Sequence, residues 1–270
     1  MELEYYGLRA LSGLIIGFII GLTGIGGGSL LMPTLTTLLG IPVSSAIGTA
    51  SLFAFITKIY AVFRHAKLKT IVKMPSVLLL FGAIPACIFF SYLVVAYSNK
   101  NNVNNHFQDN LKLFIAWVMV FCSVILIYNL YKKKKDDKSA PCPQVNYTLT
   151  RKIIAVTLGV IIGFLVGTTS VGGGALVIPI LVMYFKLNGK ETVGTSILIA
   201  VVLTLITSFI YSSGGECDIK TAVIMSGASF IGVYFGSKLT VKIPETILEI
   251  LIVATILLAT TLMFVGGPAH

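Results

Sequence analysis

Three consecutive glycines occur twice in this chain, Gly26-Gly27-Gly28 and Gly172-Gly173-Gly174, each in the middle of an apolar run. Backbone in an apolar medium must find hydrogen-bond partners or line a polar cavity, so a glycine break there is costly unless it serves something. Bare glycines offer a row of uncovered N–H groups at the start of the next helical piece, with no side chains blocking approach. Helix N-termini carry about half a positive charge and hold anions through those N–H groups. Gly26 to Ser29 and Gly172 to Ala175 therefore read as a pair of anion-binding termini. The competing reading is that these glycines only let helices pack closely. No Lys-Ser/Thr follows either triplet, which excludes a phosphate loop.

Hydroxyls flank both breaks. Thr23 and Ser29 bracket the first, and Thr168, Thr169 and Ser170 precede the second. Thr49 and Ser51, with Thr195 and Ser196, fall on the next helix of each half. Such groups can donate to sulfonate or carboxylate oxygens without a fixed charge, which permits release; they can equally bond back to their own helix. Charge inside the apolar runs is scarce. Lys58 lies about one turn from the end of its run, where it can snorkel to the interface or pair with a permeating anion. Glu249, one turn into the last run, can carry a proton or sit among headgroups. No HExxH, Gly-x-Ser-x-Gly or paired intramembrane carboxylates appear, so an enzyme lacks machinery. The four cysteines, Cys87, Cys122, Cys142 and Cys217, form no CxxC and have no histidine nearby. Neither a disulfide framework nor a metal site is supported, and no cofactor is called for.

The elements that must position these residues are membrane helices. Hydrophobic residues make up 56% of the 270, charged ones 11%, and the mean hydropathy is +0.95. Too little polar surface exists to coat a soluble domain of that size. The net charge of +10 sits in short loops between apolar runs, where topology control explains it better than nucleic acid does. Glu2 and Glu4 replace the basic region of a cleavable signal peptide, so the first apolar run is taken as part of the fold.

The halves are copies. Glycines 17, 21, 26, 27 and 28 and Pro33 recur 146 residues later as 163, 167, 172, 173, 174 and Pro179, and the same offset carries Gly48-Thr49 onto Gly194-Thr195. An internal duplication follows. Beyond it the register reads as slipping to 151, where the loop before Leu68 answers the loop before Ile219, and the steps Gly82/Ala86 and Gly232/Gly236 close the match. Gly17/Gly21 and Gly163/Gly167 read as packing steps. Each proline sits one turn inside its half-helix, where its missing N–H matters little.

Apolar runs fall at about 9–39, 43–63, 74–97, 111–131, 152–185, 191–212, 220–237 and 245–265. Six fit a span of about 20 residues. The first and fifth are longer and broken, each giving two pieces of about 12–14 residues, too short to cross alone. They read as hairpins with the tip at mid-membrane, or as single broken crossings. With hairpins, fifteen positive residues face the inner side against Arg9, Lys100, Lys112 and Lys220 outside; with crossings the split falls to thirteen against six. The positive-inside rule favours hairpins, an inverted repeat and termini outside. The plan is thus a first transmembrane repeat over 1–131, a basic cytoplasmic linker over 132–150 and a second repeat over 151–270. Lys132 to Lys135 and Lys138 read as a stop-transfer anchor, or as a binder of anionic headgroups.

The motif Gly-x-x-x-Gly-x-x-Gly-x-Gly-Gly-Gly-x-x-x-x-Pro over 17–33, the later Gly48-Thr49, and their second copy resemble the sulfite exporter TauE/SafE family of membrane permeases. That resemblance covers essentially the whole chain. It implies transport of a small sulfur-containing or organic anion such as sulfite, a sulfonate or sulfoacetate, driven by an ion gradient, with H+ the candidate coupling ion. The family's second motif runs Gly-Thr-Ser; Gly194-Thr195-Ser196 keeps it, while the first half has Gly48-Thr49-Ala50-Ser51. Ser29 against Ala175 is a second asymmetry. The reading is an all-α polytopic protein of the cytoplasmic membrane that exposes its site alternately as the repeats rock. A passive anion channel, or a scaffold recruiting a partner through the basic linker, are the rivals.

Overall fold

The computed structural model describes residues 2–23, 28–67, 69–100, 105–135, 148–171, 176–187 and 189–240, with a few positions between 254 and 262. Among these there are helices and no strands. In order they are α1 (Glu2–Thr23), α2 (Gly28–Pro33), α3 (Val43–Lys67), α4 (Lys73–Lys100), α5 (Asn105–Lys135), α6 (Leu149–Thr169), α7 (Val177–Met183), α8 (Gly189–Ser213) and α9 (Ile219–Thr240). Five, α3, α4, α6, α8 and α9, are long and apolar enough to cross a membrane by length and composition. Rings such as Phe81, Phe209 and Trp117 stand on the outside while serines and threonines lie buried, which suits lipid and not water. The chain is a polytopic all-α membrane protein.

The first arm of each broken segment is longer than the spacing suggests. α1 has 22 residues and α6 has 21, so each is about 32 Å long instead of a half-length piece. Helix starts at Glu2 and Leu149, before the apolar runs, and continues through Gly17, Gly21, Gly163 and Gly167. Glycine lowers helix propensity, but tertiary packing offsets that here. A Cβ on Gly17 would lie 2.4 Å from the Ser229 carbonyl oxygen, and one on Gly163 would lie 2.1 Å from that of Ala83. The second arms are short. α7 carries Pro179 in its first turn, as expected. In α2, by contrast, Pro33 is the last residue, and helical bonding then widens over Thr34–Leu38, where Leu39 N–H reaches the Thr34 carbonyl at 3.1 Å. The donor that proline lacks leaves a rung vacant, and a π-type turn takes its place.

Close approaches give helix directions. Gly13 meets Met225 and Gly17 meets Ser229, so α1 and α9 run parallel; Gly159 meets Leu79 and Gly163 meets Ala83, so α6 and α4 do too. The start of α3 meets the end of α8, since Gly48 abuts Glu216 and Gly194 abuts Thr70 across the α3–α4 connection. Those helices are antiparallel. Each contact maps onto another by adding or subtracting 146. The register therefore holds through α4 and α9, and the slip to 151 is a misreading. Gly82 sits over Val156 and Val160, whereas Gly232 sits over Leu14 and Phe18, so the two are not equivalent. Small residues one turn apart satisfy the same packing need.

Equivalent helices of the halves run in opposite senses. α1 and α3 start at one end of the bundle, which we call end A, and α6 and α8 start at the opposite end B. Between α6 and α8 the chain turns back, and the Tyr184 hydroxyl at the end of α7 donates to the Arg151 carbonyl near the start of α6 at 2.8 Å.

Candidate functional site

Gly28 opens α2 and Ser29 follows it in the helix. Gly26, Gly27, Gly172, Gly173, Gly174 and Glu249 lie outside the described residues. The described residues form the frame around the breaks.

α6 ends at Thr169, and Ser170 caps it in the left-handed conformation (φ 55°), its N–H reaching the Val166 carbonyl. Glycine usually takes that position, and its counterpart 146 residues earlier is Gly24. Serine tolerates it poorly. What serine adds is a buried hydroxyl, which accepts a hydrogen bond from the Ser51 hydroxyl on α3 at 2.8 Å. Ser51 lies eight residues into α3, so the contact is about 12 Å inside end A. It joins the first half to the break of the second.

Polar groups continue beneath it. The Gly167 carbonyl accepts from the Tyr211 hydroxyl at 3.0 Å and the Ser91 hydroxyl at 3.2 Å, and Cys87 Sγ lies 3.2 Å from Thr207 Oγ1. The side chains of this lane are all buried. By the 146-residue offset Ser91 and Gly167 answer Ser237 and Gly21, while Ser51, Tyr211, Thr207 and Cys87 answer Ile197, His65, Ala61 and Val233.

Other hydroxyls among the described residues are engaged elsewhere. Thr169 donates to the Leu165 carbonyl and accepts from Val171 N–H; Thr168 and Ser196 bond back to Phe164 and Val193. Thr49 accepts from Asp218 N–H at 2.9 Å, and Thr195 accepts from Val72 N–H at 3.0 Å. The repeated Gly-Thr is thus a latch. Its glycine lets a connecting loop lie against the helix, and its threonine receives that loop's amide. Thr49 and Thr195 sit at opposite ends of the bundle, each turned to a connecting loop. Thr195→Val keeps the shape and strands a half-buried N–H, which should cost about 1–3 kcal/mol. A lowered melting temperature in detergent checks this; an unchanged one means the latch is energetically idle.

Lys58 lies nine residues before the end of α3, deeper than one turn, because the helix runs on to Lys67. It is partly buried. Arg9 and Lys112 are basic residues buried in α1 and α5, whose first turns begin earlier than their apolar runs.

End A carries a polar cluster that spacing did not reveal. Glu216 accepts from Ser44 (2.8 Å) and Ser45 (2.6 Å) of α3 and from Ser98 of α4. Gln108 of α5 bonds Ser44, and Asn99 reaches the Gly214 carbonyl at 3.2 Å. Arg9 meets Asp218 at 3.2 Å. Burial pushes the Asp218 carboxyl up, but the Thr221 bonds and the Arg9 guanidinium outweigh it and hold it below its ordinary value. The bridge is therefore intact above the usual carboxylate range and lost only as pH falls through that lowered value.

A family model described as sulfite exporter TauE/SafE matches residues 9–263. The probable membrane transporter protein YjnA of Bacillus subtilis is 30% identical over 92% of this chain and 96% of its own length. A probable membrane transporter protein of Methanocaldococcus jannaschii is 31% identical over 92% of this chain and 90% of its own. Another from Haemophilus influenzae is 27% identical over 90% and 91%. No solved structure matches the chain.

Proposed function

This chain belongs to the sulfite exporter TauE/SafE family, and on that premise we propose that it is a secondary transporter of a small sulfur-containing or organic anion of the sulfite, sulfonate or sulfoacetate class. The observation that carries this reading is the buried Ser51–Ser170 contact, where α3 of one half meets the glycine break of the other. Hydroxyls and helix amides there would hold an oxyanion without a fixed cation, which suits a site that must release its cargo. The pocket would comprise Gly26 to Ser29, Gly172 to Gly174, Ser51 and Ser170. Lys58 is assigned to charge balance and Glu249 to proton coupling. The opposed directions of equivalent helices support alternating access by rocking of the two repeats. The termini are assigned to the outer face of the cytoplasmic membrane by the charge split.

The test is purified protein in liposomes, challenged with sulfite, sulfoacetate, taurine, sulfate and carboxylates. One of the sulfur oxyanions should give saturable uptake that a proton gradient drives uphill. The same anion at a hundred times its Kd should stabilise the fold by about 2.7 kcal/mol in a thermal-shift assay. Flux that never saturates or runs uphill would make the protein a channel. No flux and no shift across the panel would sink the reading.

A further inference from the structure

A helix leaves its last four carbonyls without partners of its own, and the aligned peptide dipoles put about half a negative charge at that end. α6 ends at Thr169, just before the second glycine break, so its last carbonyls lie beside the site proposed to receive an anion. Bare, they would repel it. The Val166 carbonyl takes the Ser170 N–H at 2.9 Å. The helical partner of the Gly167 carbonyl would be the Val171 N–H, but that group donates to the Thr169 hydroxyl at 3.1 Å. Side chains from two other helices stand in for it. The Tyr211 hydroxyl of α8 donates to Gly167 at 3.0 Å and the Ser91 hydroxyl of α4 at 3.2 Å. Both side chains are fully buried. Gly167 admits them because it is bare: a Cβ there would lie 3.0 Å from Ser91 Oγ. A carbonyl oxygen has two lone pairs, and with two donors neither is left to face a solute.

We propose that Tyr211 and Ser91 are positioning residues for anion binding: by occupying both lone pairs of the Gly167 carbonyl they screen the negative end of α6 and let the break at Ser170 accept a charged solute. This rests on the anion reading above and names residues that set how much negative charge the site tolerates. Each hydroxyl acts through the Gly167 carbonyl and not by touching the solute. An electrostatic role of this kind leaves a mark that a packing role does not. Coulomb energy scales with the charge of the solute, so a lost donor that weakens a singly charged anion about threefold should weaken a doubly charged one about tenfold. A shifted helix or lost packing would weaken both alike.

Full-length wild type, Tyr211→Phe and the milder Ser91→Ala are titrated in detergent at one fixed neutral pH, with Kd read from the shift in melting temperature. The probes are methanesulfonate and isethionate, with one charge each, and sulfoacetate and sulfate, with two. In either variant the doubly charged anions should lose about threefold more affinity than the singly charged ones. Thr207→Val, one turn before Tyr211 on α8 and in contact with Cys87 instead of Gly167, should leave the ratio between the two classes unchanged. Equal weakening of both classes in Tyr211→Phe and Ser91→Ala, or none, overturns the screening role while the anion site stands. The same skew in Thr207→Val also overturns it, because the effect would then not pass through the Gly167 carbonyl. A wild type that binds none of the four removes the anion site, and the screening role with it.

Discussion

Gly163→Val should abolish a stable fold, and Gly17→Val should do the same at the matching interface. A Cβ at Gly163 falls 2.1 Å from the Ala83 carbonyl oxygen and 2.8 Å from its Cα, and one at Gly17 falls 2.5 Å from the Ser229 Cα. These obstacles are backbone, so no rotamer change relieves them; the helices must separate. α6 carries Gly159, Gly163 and Gly167 at four-residue spacing against α4, with α1 and α9 matching it across the repeat. In lipid no hydrophobic effect holds helices together, and close packing of small residues takes its place. Overpacking a tight interface costs about 3 kcal/mol, and forced separation loses the dispersion contacts of neighbouring residues as well. A broadened, aggregated elution profile and a collapsed melting transition are the expected readouts. Gly227→Ala is the control: its Cβ would meet nothing within 4 Å, and it should stabilise by about 0.5–1 kcal/mol. A Gly163→Val protein that melts with the wild type would mean that the α4–α6 contact is not what holds the halves together.

Much of this was legible in the residues, and what was not has physical causes. Apolar length and glycine breaks are one-dimensional signals, so the membrane class and the family motif could be read. Helix limits could not, because α1 and α6 extend through sequence that tertiary packing stabilises. The register after Gly48 was misread because packing asks only for a small side chain. Gly82 and Gly232 share a residue type but not a position, while Ser229 and Ala83, unlike in type, are equivalent. Thr49 and Thr195 looked like pocket residues because their true partners are backbone amides, which no side-chain pattern displays. Glu216 was missed for a related reason: its donors lie 118 to 172 residues away, on the ends of two other helices. Ser170 did carry a signal, a serine aligned with Gly24 in otherwise glycine-matched copies.

The other large effect falls on the site itself. Gly27→Val combined with Gly173→Val should reduce anion uptake by two orders of magnitude or more while leaving insertion and melting temperature near wild type. Each valine would cover amides proposed to receive the solute, and losing one hydrogen bond to a charged group at each terminus costs about 1.5–3 kcal/mol. Placed before α2 and α7 and not within α1 or α6, these substitutions spare the glycine stripe on which the fold depends. Alanine at the same two positions should fall between, since its methyl shields the N–H groups only in part. Single variants separate the termini: unequal losses would follow from Ser51 and Ser170 serving the second break alone. Ser51→Ala then becomes informative, because it removes a hydroxyl at that break without touching any amide. It should weaken apparent affinity more than maximal rate if the hydroxyl holds the anion equally at every stage. Uptake that survives the double valine exchange with unchanged affinity would show that the solute passes elsewhere and that the bare glycines serve only the turn of the backbone.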